Sequence, residues 1–224
     1  RDRAIAELAL IAYFFLLRPG EYCHSSEDGT SAPFRLHDVC FFIGDRKIRA
    51  INATEAELQQ ADYVSLYFTT QKNGVKGEAI GHGRSGRRRA CPVRLIAARE
   101  RYLRQHGATA RTPLCAIHTK NQWRQIRSTA ITQALRTAAT DMGHTVGLLP
   151  TDISARSLRS GGAMALFLGK CDRNTLRLLG RWQSDTLFQY LFASARQVTQ
   201  NYAKVMVQHD HHALLPTEEQ HIDN

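Results

Sequence analysis

The chain has 224 residues, 43% hydrophobic and 22% charged, the balance of an ordinary globular protein long enough to bury a substantial core. No stretch approaches the ~18 uninterrupted apolar residues of a membrane-spanning helix, which excludes an integral helical membrane protein. The formal net charge of +10 and the pI near 9.7 fit a polyanionic partner, of which nucleic acid is the commonest; a basic protein with no such partner is the plain alternative.

Five cysteines at wide, irregular spacing (Cys23, Cys40, Cys91, Cys115 and Cys171) form no Cys-x-x-Cys pair. With Arg1-Asp2-Arg3 opening directly into an apolar run and no cleavable signal pattern, they read as free thiols of an intracellular, non-secreted protein. Asn52-Ala53-Thr54 matches a glycosylation acceptor, which carries no meaning without secretion.

In chain order, Ala4, Ile5, Leu8, Ala9, Ile11, Ala12, Phe15 and Leu16 predict a mostly buried helix over 3–17. Pro19 and Gly20 are expected to stop it and leave Arg18 at its C-terminal end, where a cation is favourable. As a tetrapeptide, Arg18-Pro19-Gly20-Glu21 has low specificity. Val39–Ile43 and Lys47–Ile51 read as short strands, and Tyr63–Thr70 with Gly77–Ile80 as a hairpin whose tight turn is Asn73-Gly74 and whose tip carries Lys72. Gly81-His82-Gly83-Arg84-Ser85-Gly86 satisfies Gly-x-Gly-x-x-Gly, but Arg87-Arg88-Arg89 and Pro92 follow where a dinucleotide fold needs a helix start. This segment reads as a basic loop, with Arg84, Arg87, Arg88 and Arg89 able to neutralise backbone phosphates; a nuclear-import signal is the other reading.

Leu95–Gln105 predicts a helix ending at Gly107, Thr112–Thr119 reads as connecting structure, and Gln125–Met142 as an amphipathic helix. Its stripe is Ile131, Ala134, Leu135, Ala138 and Met142; Arg124, Arg127 and Arg136 lie off the stripe, as a solvated face or as DNA-backbone contacts. A buried helix follows Arg159, Thr175–Leu179 begins a short one, Leu187–Phe192 supplies an apolar face, and Val198–Val207 makes a last amphipathic helix. The expected architecture is mainly α with a small antiparallel β-sheet, an α+β domain over 1–208. Residues 209–224 form a polar tail that reads as disordered.

Several chemistries lack their parts. Zinc-binding His-x-x-x-His on a helix, a Gly-x-x-x-x-Gly-Lys phosphate loop and a Gly-x-Ser-x-Gly elbow are all absent from the sequence, so no metal or nucleotide cofactor is expected. What stands out is 153–190. It runs Ile153-Ser154-Ala155-Arg156-Ser157-Leu158-Arg159-Ser160-Gly161-Gly162, then Leu179-Gly180-Arg181-Trp182-Gln183-Ser184-Asp185, and reaches Phe188-Gln189-Tyr190. Arginine forks match phosphate oxygens, and a tyrosine phenol becomes a nucleophile where cations favour its anion. Together they suggest phosphodiester transesterification.

The order Arg18, Lys72, Arg156-Ser157-Leu158-Arg159, Leu179-Gly180-Arg181-Trp182, Tyr190 resembles the catalytic domain of tyrosine recombinases of the phage-integrase kind. The wording Gly-Arg-Trp-Gln-Ser-Asp followed by a tyrosine looks most like the recombinases of eukaryotic Crypton-type mobile elements. The resemblance covers nearly the whole chain and is sharpest over 153–190; the N-terminal helical domain of that family is expected to be missing from this sequence.

The resemblance implies that Arg18 and Arg159 grip the scissile phosphate, that Tyr190 attacks phosphorus to give a 3′-phosphotyrosyl link, and that Lys72 protonates the leaving 5′-oxygen. It also implies double-stranded DNA as partner, self-association through a C-terminal helix exchanged between protomers, and a nuclear location in a eukaryotic host. Two positions depart from the family pattern. Its usual His-x-x-Arg is Arg156-x-x-Arg159 here, and an arginine cannot act as a base at neutral pH. Where the family often has His or Trp before the nucleophile stands Arg181, with Trp182 beside it, and either side chain fits the role. A scaffold that binds DNA without cleaving it is therefore the alternative, and a basic interaction domain unrelated to DNA a third reading. Tyr202 shares a helix stripe with Val198 and Val205 and reads as packing.

Overall fold

The computed structural model describes residues 1–24, 31–69, 77–142 and 149–182; Lys72, Tyr190, Tyr202 and the expected elements beyond 182 lie outside them. The described chain is mixed helix and strand with a small antiparallel sheet, the α+β class expected from the sequence.

Helix α1 (Asp2–Phe14) forms because Ala4, Ile5, Leu8, Ile11 and Ala12 recur at three- and four-residue steps, and all are buried. It does not run on to Pro19. The Leu17 N–H reaches back to Ala12 O at 3.0 Å, and Leu16 takes φ +50° to make that return possible. Glycine is the usual occupant of such a position, and a Cβ there costs about 1–2 kcal/mol. Leu16 is 1% exposed, packed with Ala163, Leu176 and Trp182, and burying a leucine contributes about 1.5–3 kcal/mol, enough to offset the strain. Arg18 is consequently not the last residue of α1, as the sequence suggested. It is the extended N-cap of a one-turn helix, α2 (Pro19–Tyr22), begun by Pro19.

Strands β1 (Val39–Ile43), β2 (Arg46–Arg49), β3 (Tyr63–Tyr67) and β4 (Ala79–Gly83) form an antiparallel sheet in the order β2-β1-β3-β4. Between β1 and β4 a short helix, α3 (Glu55–Gln60), precedes β3. The register sets Phe41 opposite Ile48 and Val64, and Leu66 opposite Val39 and Ile80, so one face is a mainly apolar layer, with His82 standing opposite Val64. The Gly81-x-Gly83 pair falls inside β4, which disposes of any phosphate-loop reading. The β3–β4 connection closes through Phe68 N–H to Glu78 O at 2.8 Å, and Lys72 belongs to that connection.

Helix α4 (Pro92–Gln105) lies against α1 and the sheet. Arg99, 1% exposed in its middle, donates from Nε and Nη2 to Leu114 O and from Nη2 to Ala116 O at 2.6 Å. These bonds start a hairpin that sequence reading took for connecting structure: β5 (Ala116–Thr119) and β6 (Gln122–Gln125), paired Thr119 to Gln122. Its two turn residues, Lys120 and Asn121, have φ +49° and +58°, the left-handed pair of a type I′ turn.

The expected Gln125–Met142 helix begins later, as α5 (Ser128–Met142). Its buried residues are Ile131 and Ala139, whereas Ala134, Ala138 and Met142 are exposed, so the expected stripe is rotated. Arg136 is turned inward to donate from Nε to Ile153 O at 2.9 Å and from Nη2 to Thr151 O at 3.0 Å, which ties α5 to the chain leading into α6 (Ser157–Leu168). Helix α7 (Arg173–Gly180) follows, capped by the Asp172 carboxylate on the N–H groups of Asn174 and Thr175. All five cysteines are free.

Helix α6 crosses α1 at glycine contact. A Cβ on Gly162 would stand 2.2 Å from Tyr13 O, a backbone atom that cannot swing aside, whereas one on Gly161 would meet nothing closer than 3.9 Å. Gly162→Ala is therefore expected to lower stability by about 1–3 kcal/mol in urea titration. Gly161→Ala is expected to raise it by about 0.5–1 kcal/mol.

Glu100 on α4 is fully buried, with Arg104 as its ion-pair partner, and burial pushes its carboxyl up to about 7 against the pull of Arg104 and Arg101. The folded protein thus retains a proton that the unfolded chain has released. Its stabilising effect is fully present below the ordinary carboxylate pKa and is lost as pH rises through 7. Glu100→Gln is expected to flatten the pH dependence of stability between about pH 4.5 and 7, by roughly 3 kcal/mol across the window. An unchanged profile in the variant would contradict this.

Candidate active site

Where α1 unwinds, its last carbonyls carry partial negative charge and have no helical donor. Guanidinium groups from two distant parts of the chain fill that need. Arg159, 6% exposed in the first turn of α6, donates Nη1 to Leu16 O at 2.7 Å and Nη2 to Gly180 O. Arg181, 9% exposed, donates Nη2 to the same Leu16 carbonyl at 3.3 Å and Nη1 to Phe15 O at 3.5 Å. The strained φ of Leu16 is what aims that carbonyl at both arginines.

Glu21, 1% exposed, supplies the counter-charge. Its Oε2 accepts from Arg181 Nη2 at 2.8 Å and from the Arg18 backbone N–H at 2.8 Å, and Oε1 faces Arg18 Nη1 at 3.3 Å. Aromatic faces complete the knot. Arg181 lies over Phe68 with its carbon 4.0 Å from the ring centre, and Arg159 over Trp182 at 4.6 Å. Burial works against the Arg181 charge and lowers its pKa, with Glu21 opposing the shift. Its Nε has no hydrogen-bond partner among the described residues.

This geometry explains Gly180-Arg181-Trp182 as a unit. The Trp182 ring lies so close over Gly180 that an added Cβ would overlap it at 1.5 Å. Arg181 takes the left-handed conformation, φ +54°, as the C-cap of α7, and so turns its side chain back towards α1. Trp182 then covers Arg159, which is buried between the tryptophan and the end of α1.

Of the residues singled out in the sequence, Arg18, Arg159, Arg181 and Trp182 are brought together. Arg156 is exposed at the N-cap of α6 and lines a separate cleft of about 450 Å³ with Pro19, Thr132, Gln133 and Arg136. Arg84 is exposed but donates Nε to Ala61 O and Nη2 to Gln59 O; Arg87, Arg88, Arg89, Arg124 and Arg127 are also exposed. Lys72 and Tyr190 fall outside the described residues. Sequence reading missed Glu21. Its signal was present, since an acidic residue two after a helix-starting proline is placed to accept the N-cap N–H.

The buried carboxylate and its arginine are expected to be coupled. Glu21→Gln should cost about 3–5 kcal/mol, because it leaves Arg181 buried without its counter-charge, and Arg181→Met should cost less, because Glu21 keeps Arg18. The double variant should lose clearly less than the sum in denaturant titration, and strict additivity would contradict the pairing.

Among the described residues no helix is long and apolar enough to cross a membrane. The chain matches no family model, no curated protein and no solved structure.

Proposed function

We propose that the chain cleaves and rejoins DNA strands in the manner of a tyrosine recombinase, through a 3′-phosphotyrosyl intermediate. The observation that carries the reading is the convergence of Arg18, Arg159 and Arg181 on one end of α1. Arg159 meets a carbonyl 143 residues away along the chain, and Arg181 a carboxylate 160 residues away. Three guanidinium groups outnumber the buried Glu21 carboxylate and the exposed Glu78 carboxylate that also acts on Arg181, a positive excess that suits the extra negative charge of a pentacoordinate phosphorane.

In this reaction the Tyr190 phenolate attacks phosphorus. The bond from phosphorus to the 5′-oxygen breaks, and Lys72 gives that oxygen its proton, leaving a free 5′-hydroxyl. A free tyrosine titrates near ~10, so Tyr190 needs the neighbouring cations to ionise at neutral pH. The phosphodiester energy is kept in the enzyme link, and rejoining is the same step reversed with another 5′-hydroxyl. Exposed Arg87, Arg124 and Arg127 would meet backbone phosphates away from the reacting one.

One observation favours a second reading. Arg159 and Arg181 already spend N–H donors on Leu16, Gly180 and Phe15 carbonyls, as they would in a scaffold that binds DNA without cutting it. Incubation with a pool of nicked duplexes of randomised sequence separates the two. A strand transferase gives a protein–DNA adduct stable to detergent; Tyr190→Phe abolishes it, and Arg18→Ala lowers its rate by about 10²–10³-fold. Absence of an adduct while duplex binding persists, or an adduct that survives Tyr190→Phe, would remove the catalytic reading.

A further inference from the structure

At the other end of α1 lies a groove of about 770 Å³ that takes no part in the site above. One wall is a row on α1: Arg3, Ala6, Glu7 and Leu10. The facing wall is a row on α4: Arg94, Ala97, Ala98 and Arg101. Both rows follow the i, i+3, i+4, i+7 rule of a single helical face, and each runs for about 10 Å at 1.5 Å per residue. The floor between them is small and apolar, with alanines from both helices and buried Leu58 and Leu95 beneath.

The rim is strongly cationic. Arg84, Arg88 and Arg89 from the β4–α4 loop join the arginines of the two rows. Two rim arginines have carboxylate partners, Arg3 with Glu7 at 2.8 Å and Arg101 with Glu55 at 2.7 Å. The side chains of Arg88, Arg89 and Arg94 are exposed and have no hydrogen bond or ion pair among the described residues. Like charges gathered around one groove repel each other, and an anionic occupant relieves that repulsion.

Charge alone would suit a phosphodiester backbone as well as a carboxylate-rich protein. The floor decides between them. A sugar–phosphate chain has no apolar stripe to set on two alanine-rich helix faces, and it would leave that surface poorly covered. A helix does have such a stripe. Small residues let its backbone approach closely, and it would pack into the valley as a third helix, ridges into grooves. Glutamates or aspartates flanking the stripe would then face the rim, where arginine forks take carboxylates two oxygens at a time.

We propose that this groove is the docking site for an acidic amphipathic helix of a protein partner. It would recruit that partner on a face separate from the guanidinium knot, and it does not rest on the strand-transfer reading.

The test is fluorescence anisotropy on the whole chain with three labelled probes of equal charge. The first is a helical peptide with leucine and alanine on one stripe and glutamates on both flanks; the second has the same composition scrambled; the third is a short DNA duplex. The patterned peptide is expected to bind at least tenfold more tightly than the scramble. Arg89→Glu with Arg94→Glu, and separately Ala6→Glu, should each weaken it at least tenfold, while circular dichroism confirms the native fold of each variant. Equal affinity for patterned and scrambled peptides would overturn the proposal, as would charge-reversed variants that lose the duplex but keep the peptide.

Discussion

A single buried carboxylate decides how the two halves of this chain meet. Glu21 accepts the Arg18 N–H, faces the Arg18 guanidinium and receives Arg181 from the far end of α7. Its placement follows from the turn before it. Leu16 in a left-handed conformation ends α1 early, and Pro19 restarts the chain as α2 with Glu21 on its inner side. Without the turn, the Leu16 carbonyl would not face α6 and α7, and the two arginines would lose the acceptor they share. Buried ion pairs add little net stability after desolvation; what they supply is a penalty for any arrangement that leaves one member alone. The α1–α2 junction and the Gly180-Arg181-Trp182 turn are therefore positioned by each other.

The basic surplus divides into two electrostatic types, which differ in what surrounds them. At the C-terminal end of α1 the guanidinium groups of Arg159 and Arg181 are buried, oriented by carbonyls and covered by aromatic rings, so their positions are set before any ligand arrives. Preorganisation of this kind is what stabilises charge developing in a transition state. At the N-terminal end of α1 the arginines stand on exposed helix faces and a loop, where solvent and salt weaken each one and only a multivalent anion engages them together. The net charge of +10 is a sum over both types and reveals neither.

Periodic features were legible in the sequence. The apolar steps of α1 and the β-rich run at Tyr63–Tyr67 each carry their own local reason, and the structure contains both; the helix expected over Leu95–Gln105 is also there, but it starts earlier, at Pro92, which the sequence reading had set against a helix start. The β5–β6 hairpin was not legible, because its turn is Lys120-Asn121 rather than a glycine pair and because buried Arg99 on α4 anchors its start. Arg136 misled for a related reason: a charged residue on an amphipathic helix looks solvent-facing until carbonyls of a distant segment, here Thr151 and Ile153, come within reach. Within the candidate site, Arg18, Arg159 and Arg181 stood out as cations in a motif order. Glu21 stayed hidden because its partner is supplied from the other end of the chain.

The strand-transfer proposal requires this cationic knot to activate one phenol, that of Tyr190. The most direct measurement is mass spectrometry of the protein after incubation with nicked duplex, digestion with trypsin and removal of all but the linked nucleotides. A nucleotide phosphate is expected on the peptide that contains Tyr190 and on no other tyrosine peptide. A phosphate-linked nucleotide on the peptide containing Tyr202, or a protein left unmodified under conditions where it binds the duplex, would contradict it.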